Sequence, residues 1–282
     1  MNAPRHKITV VTNGNYFAAL GLSPLLSAAR DRFDVQVLVT TGLRRQSGNR
    51  LAEAWLLARR WGWRYFVYKS VTYILPAAGG AVRREPADVA AVCDRVGVPV
   101  GTVRNVNDAG SVTAVREFGP ELLVSFSCPY RIKTPLLQVA RIGSLNVHSS
   151  LLPSYAGVCT YVHVLAEGCK ETGVTVHEMV EQFDAGRILE QGSVSIPPRT
   201  STFSLFSGQC RLAGTLLLRA IDTSLAAGRL GGVPQDLSKR SYRGEPTAAD
   251  INHLRRRGHR LMTLADAVAL FRGPATSPQP RG

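Results

Sequence analysis

Long apolar runs, paired cysteines and an N-terminal signal core are all missing from this 282-residue sequence. No apolar run approaches the roughly eighteen residues that a membrane-spanning helix needs, and residues 1–7 are polar. The five cysteines are odd in number and include no CxxC pair, which disfavours a disulfide framework or a zinc site and fits a reducing compartment. These absences predict a soluble, cytoplasmic protein with no membrane partner.

Acidic residues are also scarce. The chain has 20 Asp and Glu against 34 Lys and Arg, which gives a formal net charge of +14. Such an excess attracts polyanions, among them nucleic acid, a phosphorylated substrate, an acidic carrier protein or a polyglutamylated cofactor. A basic surface that simply faces solvent is an equal alternative. Nucleic acid is not favoured, because the arginine run 255–257 has no interleaved aromatic residue and no recognition module is present.

Glycine-rich phosphate loops are absent as well. The first predicted strand, 7–12, leads into the turn Asn13-Gly14-Asn15, which matches neither a dinucleotide nor a Walker fingerprint. The alternation of strands and helices that follows is typical of an α/β domain with a Rossmann-like, mostly parallel sheet flanked by helices. The predicted helices are 17–30, 51–60, 86–95, 109–118, 134–140, 160–167 and 203–225, and the further strands are 34–40, 122–126, 144–148, 172–180 and 187–196. Residues 67–80 are too irregular to assign.

A change in composition divides the chain near Gly231. Beyond that point the sequence becomes polar and basic, with nine Lys and Arg against three Asp and Glu in residues 239–282. We therefore expect a main domain over residues 1–230 and a short basic C-terminal extension over 231–282. Residues 273–282 are expected to be disordered.

The most informative stretch is SLNVHSSLLPSYAG, residues 144–157. Its first half is predicted to be a strand, so Asn146 and His148 point to the same side, roughly 6–7 Å apart along the backbone. Pro153 and Gly157 follow in a turn-forming loop, which places this pair at the C-terminal end of the strand, where open α/β sheets bind ligands. The exit of the preceding strand, residues 127–133, should border the same cleft, since strands joined through a short helix usually lie parallel and close.

A second motif completes a family pattern. The strand TGVTVHEMV at 172–180 runs into EQFDAG, which places Asp184 36 residues after His148. Together with NVHSSLLPSYAG, this resembles the core of the 10-formyltetrahydrofolate-dependent formyltransferases, which include methionyl-tRNA formyltransferase, glycinamide ribonucleotide transformylase and the sugar N-formyltransferases. The resemblance is strong over about 121–192 and weaker on either side.

The resemblance implies a formyltransferase that moves a formyl group from 10-formyltetrahydrofolate, without a metal, to a primary amine of a small metabolite. The acceptor would be an amino sugar, an amino acid or a carrier-bound amine, with an anionic acceptor among the alternatives. Asn146, a protonated His148 and Asp184 would form the catalytic trio, because prealigned donors stabilise the oxygen of a tetrahedral intermediate and a carboxylate favours the imidazolium. The residues implied to bind the folate donor are Tyr130, Arg131, Ile132, Leu151, Val180, Glu181 and Phe183.

Several alternatives stay open. Methionyl-tRNA formyltransferases continue into a C-terminal β-barrel, whereas only about fifty residues follow Gly231, and the GSGSN-type loop of the ribonucleotide enzymes is missing. A formyltetrahydrofolate hydrolase remains an alternative because water can replace the amine, as does a non-catalytic folate- or polyanion-binding protein. The sequence leaves a homodimer open too.

Other histidines are weaker candidates. His177 either borders the cleft or has a packed structural role, and His163 is interpreted as a polar residue on a helix face. A metal site made of His163, His177 and Cys159 is not supported, since no pair has recognised zinc spacing. The alternative to a catalytic trio is a purely structural role, in which His148 is an ordinary core histidine and Asp184 is a turn residue.

Overall fold

The computed structural model describes residues 5–41, 50–83 and 87–273. Nine strands and ten α-helices occur in these ranges. The strands are β1 His6–Thr12, β2 Phe33–Thr40, β3 Val100–Val103, β4 Leu122–Phe126, β5 Gly143–His148, β6 Ala156–Gly157, β7 Glu171–Glu178, β8 Ile188–Ser195 and β9 Tyr242–Arg243. The helices are α1 Tyr16–Ala28, α2 Arg50–Trp61, α3 Trp63–Arg83, α4 Val89–Val96, α5 Ala109–Phe118, α6 Thr134–Leu137, α7 Thr160–Glu167, α8 Thr202–Ala227, α9 Ala248–Arg256 and α10 Leu264–Arg272.

A seven-stranded sheet forms the centre of the molecule, in the order β3-β2-β1-β4-β5-β7-β8. The first five strands pair in parallel, while β7 and β8 pair antiparallel at one end. The strand β4 is buried along its whole length, as expected for a strand covered on both faces. The prediction of a mostly parallel, Rossmann-like α/β fold is confirmed.

Helices cover both faces of this sheet. Helices α1, α4 and α8 contribute apolar residues to a core against one face, and α5 and α6 contribute to a core against the other. A third core joins α3, α7, α9 and α10 to the beginnings of α1 and α8. Strand β5 lies between β4 and β7, and its side chains alternate between the two faces of the sheet. Its C-terminal end therefore opens between the helix layers.

Helix α3 is the main element that the sequence analysis left unassigned. Pro76, Gly79 and Gly80 obscure its periodicity, although all three are buried in the helix. A Cβ on Gly79 would lie 1.9 Å from the carbonyl oxygen of Phe271, so a glycine allows α10 to pack closely against α3. The low helix propensity of glycine therefore predicts a break in the helix at positions where close packing between α3 and α10 requires a small residue.

The C-terminal residues pack on the rest of the chain. Helix α9 contacts α7, helix α10 contacts α3, and β9 pairs with β6. The division into a main domain over 1–230 and an extension over 231–282 stays a prediction. The predicted disordered segment lies outside the described residues from 274 onward.

Candidate active site

A cleft of about 330 Å³ opens at the C-terminal ends of β4 and β5. These strands are adjacent and parallel, with Ser125 opposite Asn146. Asn146, His148 and Asp184 all line the cleft, together with residues 125–132 at the exit of β4. The two loops that were predicted to border one cleft therefore do so, and the three residues implied to be catalytic come together.

Asn146 is oriented by a histidine on the neighbouring strand. His177 on β7 is its antiparallel partner, and the Asn146 Nδ2 atom lies 3.1 Å from His177 Nε2. His177 Nδ1 lies 2.8 Å from the carbonyl oxygen of Glu178, so it carries a hydrogen and donates there. In the neutral ring Nε2 then accepts from the amide, which leaves the second amide hydrogen of Asn146 for a ligand.

His148 is buried and fixed by the loop that follows its strand. Its Nε2 donates to the carbonyl oxygen of Tyr155 at 2.8 Å, and its Nδ1 lies 3.7 Å from Asp184 Oδ2. Burial lowers the pKa of His148 below its ordinary value, against the opposing effect of the Asp184 charge. This direction disfavours the imidazolium that the resemblance implies, and the protonated form of His148 stays a prediction.

Asp184 lies between the two imidazoles. Its Oδ2 accepts from the Gly157 N–H at 2.9 Å, and its Oδ1 lies 3.6 Å from His177 Nε2. Burial alone would raise the pKa of this carboxyl, but the His177 ring, the His148 charge and the Gly157 N–H outweigh it and hold the pKa below its ordinary value. The residue has a left-handed backbone, with φ of 52°, a conformation that aspartate tolerates better than most residues. The carboxylate form of Asp184 is thus favoured between the two imidazole rings.

The C-terminal segment holds the loop that fixes both groups. Strand β9 pairs in parallel with β6, and the Tyr155 N–H donates to Ser241 Oγ at 2.8 Å. A Cβ on Gly157 would lie 2.0 Å from the Arg243 carbonyl oxygen, so only glycine permits this pairing. The Arg243 side chain also bonds Glu167, with Nε 2.8 Å from Oε1. At least part of the basic tail is therefore engaged within the molecule.

Five of the seven residues implied to bind folate line the cleft: Tyr130, Arg131, Ile132, Val180 and Phe183. The other two do not form its wall. Glu181 joins the loops from outside, since its carbonyl oxygen accepts from the Arg131 guanidinium and its Oε1 accepts from Thr134 Oγ1 at 2.7 Å. The Leu151 side chain instead lies beside Gly173, on β7.

The remaining wall of the cleft contains residues that the sequence analysis missed. Asn13, Asn15 and Phe17 come from the first turn and α1, while Lys69 and Tyr73 come from α3. The sequence offered no basis for placing Lys69 at the cleft, because its helix could not be assigned. His163 lies elsewhere, with Nε2 bonded to the carbonyl oxygen of Gly244 at 2.9 Å. In the described ranges no group of three or more His, Cys, Asp or Glu side chains is arranged to hold a metal ion.

Comparison with known proteins now identifies the family. A family model described as formyl transferase matches residues 76–221, which is more than half of the chain. The chain belongs to the formyl transferase family. This confirms the resemblance inferred from the two motifs and the prediction of an enzyme.

Solved structures with the same fold are also formyltransferases. The N-formyltransferase from Helicobacter canadensis, solved with folinic acid and dTDP-3-aminofucose, matches with a TM-score of 0.58 and 15% identity, covering 90% of this chain and 80% of that one. WlaRD, a sugar 3N-formyl transferase solved with dTDP and 5-N-formyl-THF, matches with a TM-score of 0.57 and 15% identity, covering 91% and 80%. Glycinamide ribonucleotide transformylase 1 from Symbiobacterium toebii matches with a TM-score of 0.55 and 16% identity, covering 79% and 89%.

Proposed function

We propose that this enzyme transfers a formyl group from 10-formyltetrahydrofolate to the primary amine of a small metabolite. The observation that carries the proposal is the convergence of Asn146, His148 and Asp184 in one cleft, with an ionised carboxylate beside a buried imidazole. Relatives of the same fold that were solved with folinic acid or 5-N-formyl-THF support a folate donor.

Each polar group of the cleft has a task in this proposal. When the amine nitrogen bonds to the formyl carbon, negative charge develops on the formyl oxygen, and the free Asn146 amide hydrogen can donate to it. His148 Nε2 is occupied by the Tyr155 carbonyl, so Nδ1 is the ring atom left to act. As the carbon bond to the folate nitrogen breaks, the proton that the amine loses must reach that leaving nitrogen. Nδ1 and the Asp184 carboxylate lie together at the point where such a proton can be held.

The cleft fits the chemistry of a folate donor. Val180 and Phe183, which are 40% and 42% exposed, offer apolar surface for a flat ring at the cleft. Gln209 lines the same cavity, and its buried Oε1 has no hydrogen-bond partner among the described residues. A ring edge that carries N–H groups would satisfy such an acceptor. Tyr130, Arg131 and Ile132 would hold the opposite side.

The acceptor is assigned as a class only. A relative solved with dTDP-3-aminofucose supports a small-molecule amine, and Lys69 offers a positive charge in the cleft wall for an anionic one. Hydrolysis is the second candidate, because a small cleft that admits an amine also admits water.

One experiment separates the candidates. The protein is incubated with 10-formyltetrahydrofolate, and release of tetrahydrofolate is followed with and without a panel of amines that includes nucleotide-linked amino sugars. Amine-dependent release supports the transferase. Release of formate without any amine would make the enzyme a hydrolase, and no release under any condition would leave a folate-binding protein and overturn the proposal.

A further inference from the structure

Helix α3 is apolar on both of its sides. Tyr65, Tyr68 and Thr72 are buried on the inner side, whereas Trp63 and Ile74 on the outer side are 63% and 62% exposed. Val67 is exposed as well, and its spacing from Trp63 and Ile74, four and seven residues, places the three on one face of the helix. We call Trp63, Val67 and Ile74 the α3 stripe. A solvent-facing helix surface is normally polar, so an exposed apolar stripe of this kind indicates an interaction surface.

The charged residues of the segment that carries the stripe all have one sign. Residues 55–83 contain five basic residues and no Asp or Glu. The guanidinium of Arg64 stacks 4.9 Å from the Trp63 ring, and that of Arg59 stacks 4.6 Å from the ring of Trp55, which is also exposed on α2. In the part of the chain that the structure describes, neither arginine forms an ion pair with a carboxylate. The surface therefore combines indole rings, aliphatic side chains and an excess of cations, with Glu245 bound to Arg60 and Trp61 at its edge.

This combination argues against two occupants of the stripe. A second copy of the chain would bring the same cations to the contact and repel. The two longer segments outside the described ranges, 42–49 and 274–282, contain no acidic residue and so offer no complementary charge. Nucleic acid would pair with the arginines but would gain little from Val67 and Ile74. Anionic lipid headgroups above an acyl layer satisfy both the cations and the apolar side chains.

We propose that the α3 stripe docks this enzyme on an anionic lipid bilayer, with Trp63, Val67 and Ile74 in the interface and Arg59 and Arg64 against lipid phosphates. The sequence predicted no membrane partner because no apolar run is long enough to span one, and no described helix is long and apolar enough to cross a membrane. An interfacial helix needs only one apolar face, so that argument does not apply to it.

The α3 stripe lies on the same helix as two residues of the cleft wall. Tyr73 immediately precedes Ile74 and lines the cleft. Lys69, one turn earlier on the same helix, lines the cleft as well. A docked enzyme would therefore hold the wall of its cleft close to the headgroup layer. This consequence does not depend on which amine is formylated, and the docking itself can be tested without any activity assay.

The test is co-sedimentation of the full chain with vesicles of phosphatidylcholine alone or of an equimolar mixture with phosphatidylglycerol, at low and high salt. We expect binding to the mixed vesicles only, weakened by salt. The affinity of the double variant Trp63→Ser/Ile74→Ser for the mixed vesicles should be lower by roughly tenfold or more, since this variant loses the inserted apolar groups. Val233→Ser is the matched control, because Val233 is 69% exposed beside β8, away from α3, and should bind like the wild type. Thermal melting confirms that the variants are folded.

Three results would overturn the proposal. The first is that phosphatidylglycerol vesicles fail to retain the wild type even at low salt. The second is equal binding of the double variant and the wild type, which would assign binding to the basic tail. The third is self-association of the wild type in sedimentation velocity, absent in the double variant, with no vesicle binding by either protein, which would make the stripe a contact between copies of the chain.

Discussion

Replacement of His177 tests how the cleft orients Asn146, the proposed oxyanion donor. In the variant His177→Leu the Asn146 amide loses the nitrogen atom that lies 3.1 Å from Nδ2, in a site where the His177 side chain is buried. A buried polar group left without its partner costs about 1–3 kcal/mol. Complete loss of an oxyanion donor costs about 2.7–4 kcal/mol in other enzymes. Because the amide is misoriented rather than removed, we expect kcat to fall by roughly tenfold to a hundredfold, which corresponds to about 1.4–2.7 kcal/mol.

The same variant should change the pH dependence. In its protonated form the His177 ring carries a hydrogen on Nε2 toward Asp184 Oδ1 and is one of the groups that hold the pKa of Asp184 below its ordinary value, so its loss should raise that pKa. If turnover requires an ionised Asp184, the acid limb of the kcat profile then moves to higher pH. His177→Gln serves as the matched control, since its side-chain oxygen can still accept from the Asn146 amide.

The assay is steady-state release of tetrahydrofolate at saturating donor and amine, measured across pH for the wild type and both variants. We expect Gln to retain much more activity than Leu at this position. An unchanged kcat and an unmoved acid limb in His177→Leu would refute the reasoning. An equal loss in both variants would show that the ring is needed for its shape and not for its hydrogen bond.

Three further predictions concern the same site. His148→Ala and Asp184→Asn should each lower kcat by about a hundredfold or more in the tetrahydrofolate assay while leaving the fold intact by circular dichroism. The free energy of unfolding, from urea denaturation, should fall as the pH drops below about 6.5, because the pKa of His148 is lowered in the folded state and the unfolded chain takes up the proton first. Gly157→Ala should reduce turnover and loosen the tail, measured by hydrogen exchange at Arg243, because the new Cβ would lie 2.0 Å from the carbonyl oxygen of that residue.

The sequence predicted the fold and the assembly of the three candidate residues for identifiable reasons. The strands are continuous apolar runs between turn residues, and the alternation along β5 places Asn146 and His148 on one side. The motif that ends in Asp184 then added the third residue. The roles of the three remain predictions, but their proximity is seen directly in the structure.

What the sequence missed depends on tertiary contacts. The contact between His177 and Asn146 follows from the register of two antiparallel strands, and no local pattern specifies that register. Burial lowers the pKa of His148, and the layers that bury it are not specified by any local sequence pattern. The exposed side of α3 became visible only once Pro76 was seen to lie within a continuous helix.

Catalysis of formyl transfer to an amine is the role that we propose for Asn146, His148 and Asp184. The most direct test uses 10-formyltetrahydrofolate that carries an isotopic label in its formyl group, with mass spectrometry of the amine after a single turnover. We predict that the label appears on the amine as a formamide, in equal amount to the tetrahydrofolate released, and that Asp184→Asn suppresses both together. Label recovered only as formate, or equal formamide formation by the variant and the wild type, would contradict the account.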